Sequence, residues 1–255
     1  MRKKSSLQFV VIFMLIATLA AFPFSAGASH SWGNYHWART SNPLNLKLGD
    51  NVSGAWDSAL SGASSDWSQS TVLNTTIVAG LANPKNCRAT SGRVEVCNSK
   101  YGNNGWLGIA SIWASGDHIT QATVKLNDTY FNTPTYNTPA WRNLVTCQEV
   151  GHTFGLDHQD ENFNNPNLGT CMDYTSNPST NQHPNTHDYD QLEAIYSHLD
   201  SSNTATSATP SGFANADVHA IENWGEKVSD NGKSALFVRD FGDGFQIFTF
   251  VIWAQ

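Results

Sequence analysis

Charge is what this chain has least of. Asp, Glu, Lys and Arg make up 14% of its 255 residues, the formal net charge is −7, and no basic stripe or lysine-rich run is present. Polyanions are held by clustered Lys and Arg, so nucleic acid is excluded as a partner. Long apolar runs are nearly as scarce. After residue 21 no segment approaches the roughly 20 consecutive apolar residues that a membrane-spanning helix needs. No internal repeat is present. Cysteine is limited to four positions.

The one long apolar run sits at the start. Arg2, Lys3 and Lys4 precede an apolar stretch from Phe9 to Ala21, and Ala26-Gly27-Ala28 then supplies small residues at a cleavage-type spacing. That is the layout of a secretory signal peptide over residues 1–28, so a secreted, extracellular protein is expected. A retained membrane anchor is the alternative; the run is short for one. The remaining chain of about 225 residues suffices for one packed domain and an appendage. In an exported chain four cysteines point to two disulfides, with three pairings open. Cys87 and Cys97 flank a short Gly-containing segment and are expected to close a local loop. Cys147 and Cys171 are then left for each other. Free buried thiols are the alternative.

Periodicity gives an α+β domain. Val52, Ala55, Trp56, Ala59, Leu60, Ala63 and Trp67 recur at steps of three and four, one apolar face of a helix. Strand-like segments follow at 72–78, 94–97, 106–113 and 119–126, separated by Gly, Asn and Pro. Thr138-Pro139 reads as an N-cap followed by proline at the first helical position. The helix it opens runs through Trp141, Leu144, Val145 and His152 and stops at Gly155. A further helix over 186–199 shows Tyr189, Leu192, Ile195, Tyr196 and Leu199 on one side. Alternation of helices and strands in this order predicts a mixed sheet with an active-site helix and a C-terminal helix, spanning 29–200. Residues 201–216, rich in Ser, Thr, Ala, Asn and Pro, read as a flexible linker. Residues 217–255 read as a short β-rich extension with strands at 226–229, 235–240 and 246–253.

The chemistry concentrates at residues 148–158, Gln-Glu-Val-Gly-His-Thr-Phe-Gly-Leu-Asp-His. Positions four apart share a helix face, so Gln148 and His152 point at a common atom, with Glu149 one step round. Gly155 suits the left-handed turn that ends a helix, and His158 returns the chain toward the same atom. Two imidazoles and a third donor are the ligand set of a catalytic zinc, and Glu149 stands where a base would activate its water.

These residues resemble the metzincin clan of zinc endopeptidases, whose signature is His-Glu-x-x-His-x-x-Gly-x-x-His followed by a methionine turn, and among its branches the matrixins most. Glu149, His152, Gly155 and His158 match by position, and Met172 in Thr170-Cys171-Met172-Asp173-Tyr174 fits the methionine turn. The resemblance extends more weakly from about Trp37 to Leu199. It implies a zinc endopeptidase with Glu149 as base, His152 and His158 as ligands, and Gly155 and Met172 as structural residues. It also implies a substrate extended along an edge strand at Leu107, Gly108, Ile109 and Ala110. Three departures stand out. Gln148 replaces the first histidine and offers a neutral amide oxygen as the third ligand. No cysteine-switch segment follows the signal peptide. Tyr174, two residues after Met172, has the Met-x-Tyr spacing of astacins and serralysins, where the tyrosine reaches the metal or the oxyanion.

Cys147 is off the ligand face; a Cys147–Cys171 bridge would tie the helix to the methionine turn. His183 and His187 are further candidate metal groups, read as solvated. Asp160 and Glu161 are a candidate calcium pair. The expected function is a secreted zinc endopeptidase acting as a monomer on extracellular proteins or peptides. The alternative is an inactive metzincin-fold binding protein in which Gln148 has weakened the metal site.

Overall fold

A computed structural model describes residues 30–255; the signal peptide expected over 1–28 lies outside them. The sheet contains β1 (His36–Trp37), β2 (Leu44–Asn51), β3 (Leu73–Ala79), β4 (Arg93–Ser99), β5 (Trp106–Ser115), β6 (His118–Asn127), β7 (Glu226–Asp230), β8 (Ser234–Asp240) and β9 (Phe245–Trp253). The helices are α1 (Trp56–Trp67), α2 (Asp128–Phe131), α3 (Pro139–His152), α4 (Thr186–Ile195) and α5 (Ser211–Ala214). The fold is α+β, as expected.

All nine strands form one mixed sheet in the order β3-β2-β4-β6-β5-β9-β8-β7, with β1 also on β6. Its first half is parallel, β2 to β3 and β4, and β4 to β6. From β5 onward every pairing is antiparallel. Strand β2 was not anticipated, although Leu44, Leu46 and Leu48 alternate with exposed Asn45 and Lys47 and are buried. That period-2 signal was present in the sequence.

Helices α1 and α3 pack together on one face of the sheet. The Trp67 indole donates to the Cys147 carbonyl at 3.1 Å, pinning α1 to the helix that carries the motif. Side chains of β5 and β9 alternate between two cores. Leu107, Ala110, Ile112, Phe248, Phe250 and Ile252 join the helix side. Ile109, Trp113, Ile247 and Val251 join a second cluster with Phe213, Val218 and Trp224. Burial of each large apolar side chain contributes about 1.5–3 kcal/mol before the entropy of ordering it.

Two expectations need correction. Residues 201–216 are docked rather than loose: Ala38 N–H donates to the Thr204 hydroxyl and Thr204 N–H to the Ala38 carbonyl, both at 3.0 Å, while Thr209 N–H reaches Ser91. Small polar side chains fit against backbone as well as they suit a linker, so composition misled. The helix over 186–199 ends at Ile195, and Leu199 is exposed. The four cysteines pair as Cys87–Cys97 and Cys147–Cys171.

Candidate metal centre

Helix α3 is delimited as its sequence predicts. The Thr138 side chain accepts from Trp141 N–H, Pro139 occupies the first turn, and the chain turns at Gly155 with φ of 100°. A Cβ at Gly155 would stand 2.3 Å from the Tyr35 carbonyl oxygen, so only glycine fits that turn. The turn delivers His158 to His152. Their Nε2 atoms lie 3.0 Å apart. The Nδ1 of His152 is 2.8 Å from the Leu156 carbonyl and donates to it, which leaves the Nε2 lone pair facing His158. Desolvation, reinforced by His158, lowers the His152 pKa to about 3, so the ring is neutral.

Gln148 and Glu149 are buried beside this pair. The Gln148 amide donates to the Cys171 carbonyl at 2.9 Å, and its Oε1 is buried without a partner. Glu149 accepts from Ala110 N–H, but its Oε2 is buried without a partner. Burial raises the Glu149 pKa well above the usual carboxylate range, against the pull of that hydrogen bond. Gly108 makes room for it: a Cβ there would stand 2.8 Å from Glu149 Oε1. Met172 lies beneath α3, its sulfur 2.7 Å from where a Cβ on Gly151 would be. The Cys147–Cys171 bridge fastens the same two segments. The Tyr174 ring packs on His158 with centroids 4.0 Å apart, and burial raises its pKa well above the ordinary phenol value. Asp157 flanks His158 from the other side, with Oδ1 3.3 Å from Nδ1. Burial works to raise the Asp157 pKa, but hydrogen bonding and charge from His158 prevail and bring it to about 2.

The structure therefore gathers Gln148, Glu149, His152, His158, Met172 and Tyr174 in one place. His183, His187 and Asp160 lie apart from it, while Glu161 reaches its edge. His183 is exposed and pairs with Asp66 at 2.7 Å. His187 stacks on His30. Asp160 binds its own loop through Asn162 N–H and the Asn165 amide, whereas Glu161 faces His158 at 3.8 Å, so the two acids serve different partners.

The expected substrate edge is the main correction. Strand β5 has no free side, because β9 pairs with it at Gly108–Ile252, Ile109–Val251 and Ala110–Phe250. An exposed edge is a template for any chain able to extend beside it. The run Phe-Gln-Ile-Phe-Thr-Phe-Val-Ile-Trp of β9 is such a chain, rich in residues that favour strands. Phe250 also stacks on the His152 ring, centroids 4.3 Å apart and planes within 12°. From the start of β8, Ser234 meets the Tyr174 phenol, and Lys233 lies over Phe163, which itself stacks on Tyr174. The strand character of 245–253 was legible in the sequence; its partner was not.

No protein-family model matches the chain, and no curated protein matches it. Among solved structures it is similar to high choriolytic enzyme 1, a hatching enzyme zinc-protease from Oryzias latipes (medaka fish), with 11% identity and a TM-score of 0.35, over 64% of this chain and 94% of that one.

Proposed function

We propose that the chain is a secreted, metzincin-type zinc endopeptidase whose cleft is closed by its own C-terminal hairpin. The observation that carries this reading is the pair of imidazoles with unspent acceptor atoms on the same helix. The His152 and His158 Nε2 atoms stand 3.0 Å apart, and Gln148 Oε1 and Glu149 Oε2 on α3 are buried without hydrogen bonds. Buried polar atoms are ordinarily satisfied, and ligands held at roughly 2.0–2.1 Å by a tetrahedral ion stand about 3.3 Å from each other. His152, His158 and the Gln148 amide oxygen therefore fit a zinc ion. When bound, the ion supplies Lewis acidity toward a carbonyl and toward water.

The remaining chemistry belongs to the chain. Burial makes the Glu149 carboxylate a stronger base than a solvated one, so its Oε2 is fitted to take a proton from water and pass it to a leaving amine. The Tyr174 phenol is a donor for the oxyanion of a tetrahedral intermediate. Val145 and Glu149 lie tight against Gly108, which brings the β5 backbone close to the base. With β9 displaced, β5 offers its ladder positions to an extended peptide.

The second reading, a non-catalytic binding protein, is favoured by Gln148 already donating to Cys171 and by β9 filling the edge. One experiment separates the two. A specific cleavage site is inserted between residues 206 and 208, and zinc content and casein cleavage are measured on the intact chain and on the nicked, diluted chain. Bound zinc with cleavage that appears on nicking and disappears in Glu149→Gln supports the peptidase. Bound zinc without cleavage in either form supports the binding protein. Absence of zinc from His152 and His158, with no cleavage in either form, overturns the peptidase and leaves the binding protein.

A further inference from the structure

A second histidine cluster lies outside the motif. His36 is on β1, His118 opens β6, and His198 and Asp200 follow α4. Parallel pairing of β1 with β6 sets His36 directly beside His118, with ring centroids 5.0 Å apart. His198 approaches His36 from the other side, centroids 4.8 Å apart. Asp200 is fixed by Arg39: its N–H donates to the Arg39 carbonyl at 2.7 Å, and its Oδ2 accepts from Arg39 N–H at 2.9 Å. The other oxygen, Oδ1, then faces three imidazoles. It is 3.5 Å from His36 Nε2, 3.2 Å from His118 Nε2 and 3.4 Å from His198 Nε2.

That arrangement is poorly satisfied by protons alone. His36 Nδ1 is 2.7 Å from the Asn34 carbonyl, so a neutral His36 spends its proton there and turns a lone pair toward Asp200 Oδ1. Two lone pairs facing each other repel unless a cation lies between them. The Nε2–H tautomers of His118 and His198 can each donate to Oδ1, so the contact left unsatisfied is that of His36. The 3.5 Å and 3.4 Å from Asp200 Oδ1 to His36 and His198 are close to the roughly 3.3 Å between ligands on a single tetrahedral ion with bonds of roughly 2.0–2.1 Å. The ligand atoms of His36, His198 and Asp200 also lie within 4.8 Å of one another.

The geometry points to a second zinc site formed by His36, His198 and Asp200, with His118 beside it on the same carboxylate oxygen. Two imidazoles and one carboxylate suit zinc better than calcium or magnesium, which take oxygen ligands. The ion would clip the first strand to the chain leaving α4. The cluster borders a cavity of about 720 Å³ between Asn34, Asp117 and Gln191, through which zinc can enter. None of this depends on the centre at His152 and His158.

The test is zinc stoichiometry and affinity on the full chain after removal of metal with a chelator. His118 and His198 are partly exposed, so the double variant His118→Ala/His198→Ala should fold; circular dichroism checks this. His183→Ala is the control for adventitious binding to a surface histidine. We expect the double variant to bind one zinc fewer than wild type, with on the order of 100-fold or greater loss of affinity at that site, and to lose part of the zinc-induced rise in Tm. Cobalt substitution should show the visible bands of a tetrahedral nitrogen–oxygen site in wild type and lose them selectively in the double variant. If His152 and His158 bind no zinc, wild type falls to one ion and the double variant to none, so the two sites fail separately. Unchanged stoichiometry and affinity in the double variant, or a loss matched by His183→Ala, overturns the proposal.

Discussion

The two histidine clusters solve the same problem with opposite means. At His152 and His158 the candidate donors come from one helix and its following turn, with His152 stacked on Phe250 and His158 on Tyr174. At Asp200 the side chains come from three separate segments, with His36 lying 164 residues from Asp200 and His118 lying 82. There the side chains of His118 and His198 remain 37% and 52% exposed. The first cluster has a buried carboxyl and a buried phenol beside it; the second has neither. Burial with orphaned polar groups suits chemistry, while open imidazoles around one carboxylate suit the holding of an ion.

The comparison can be broken at several points. The largest effect is expected from His152→Ala, which should remove zinc from the buried centre and abolish cleavage by the nicked chain while leaving the ion at Asp200 in place; zinc counting on the two variants reads this. A His152→Ala protein that retains both ions would show that the motif is not a metal centre. Next, Phe250→Ala removes a buried ring from above His152 and should cost about 3–5 kcal/mol in urea unfolding. It should nevertheless raise cleavage by the intact chain, because the hairpin grips the site less well. Loss of stability without gained activity would argue that β9 is merely part of the sheet. Gln148→His should keep or raise zinc affinity at the buried centre and leave the second cluster untouched, measured by competition with a chromophoric chelator. The smallest effect belongs to His183→Ala. It removes only an exposed pair with Asp66, worth about 0–1 kcal/mol, and should change neither zinc count nor cleavage.

The same contrast explains what the sequence disclosed. Spacing of four on a helix followed by a glycine turn is a local rule, so Gln148, Glu149, His152 and His158 could be brought together on paper. The limits of α3 were legible for the same reason, through Thr138, Pro139 and Gly155. Strand β2 carries an equally local signal, since Leu44, Leu46 and Leu48 alternate plainly with polar residues. The occupied edge of β5 was not legible. Any strand of suitable composition could have paired there, and only the assembled sheet selects β9. The cluster at Asp200 was hidden more deeply still. His36, His118 and His198 each look like an ordinary solvated histidine until the parallel pairing of β1 with β6 and the Arg39 contact fix their directions.

Strand β9 is joined to the body it covers through docked segments at 204–209. A tethered strand competes at an effective concentration in the millimolar range, far above that of most free peptides. On the proposed peptidase reading, a substrate would have to outcompete the tethered strand before selectivity between substrates came into play. By the same arithmetic, a free peptide copying residues 245–253 would have lost its tether. It should bind the opened cleft as an ordinary inhibitor whose strength reports the contacts of the strand itself.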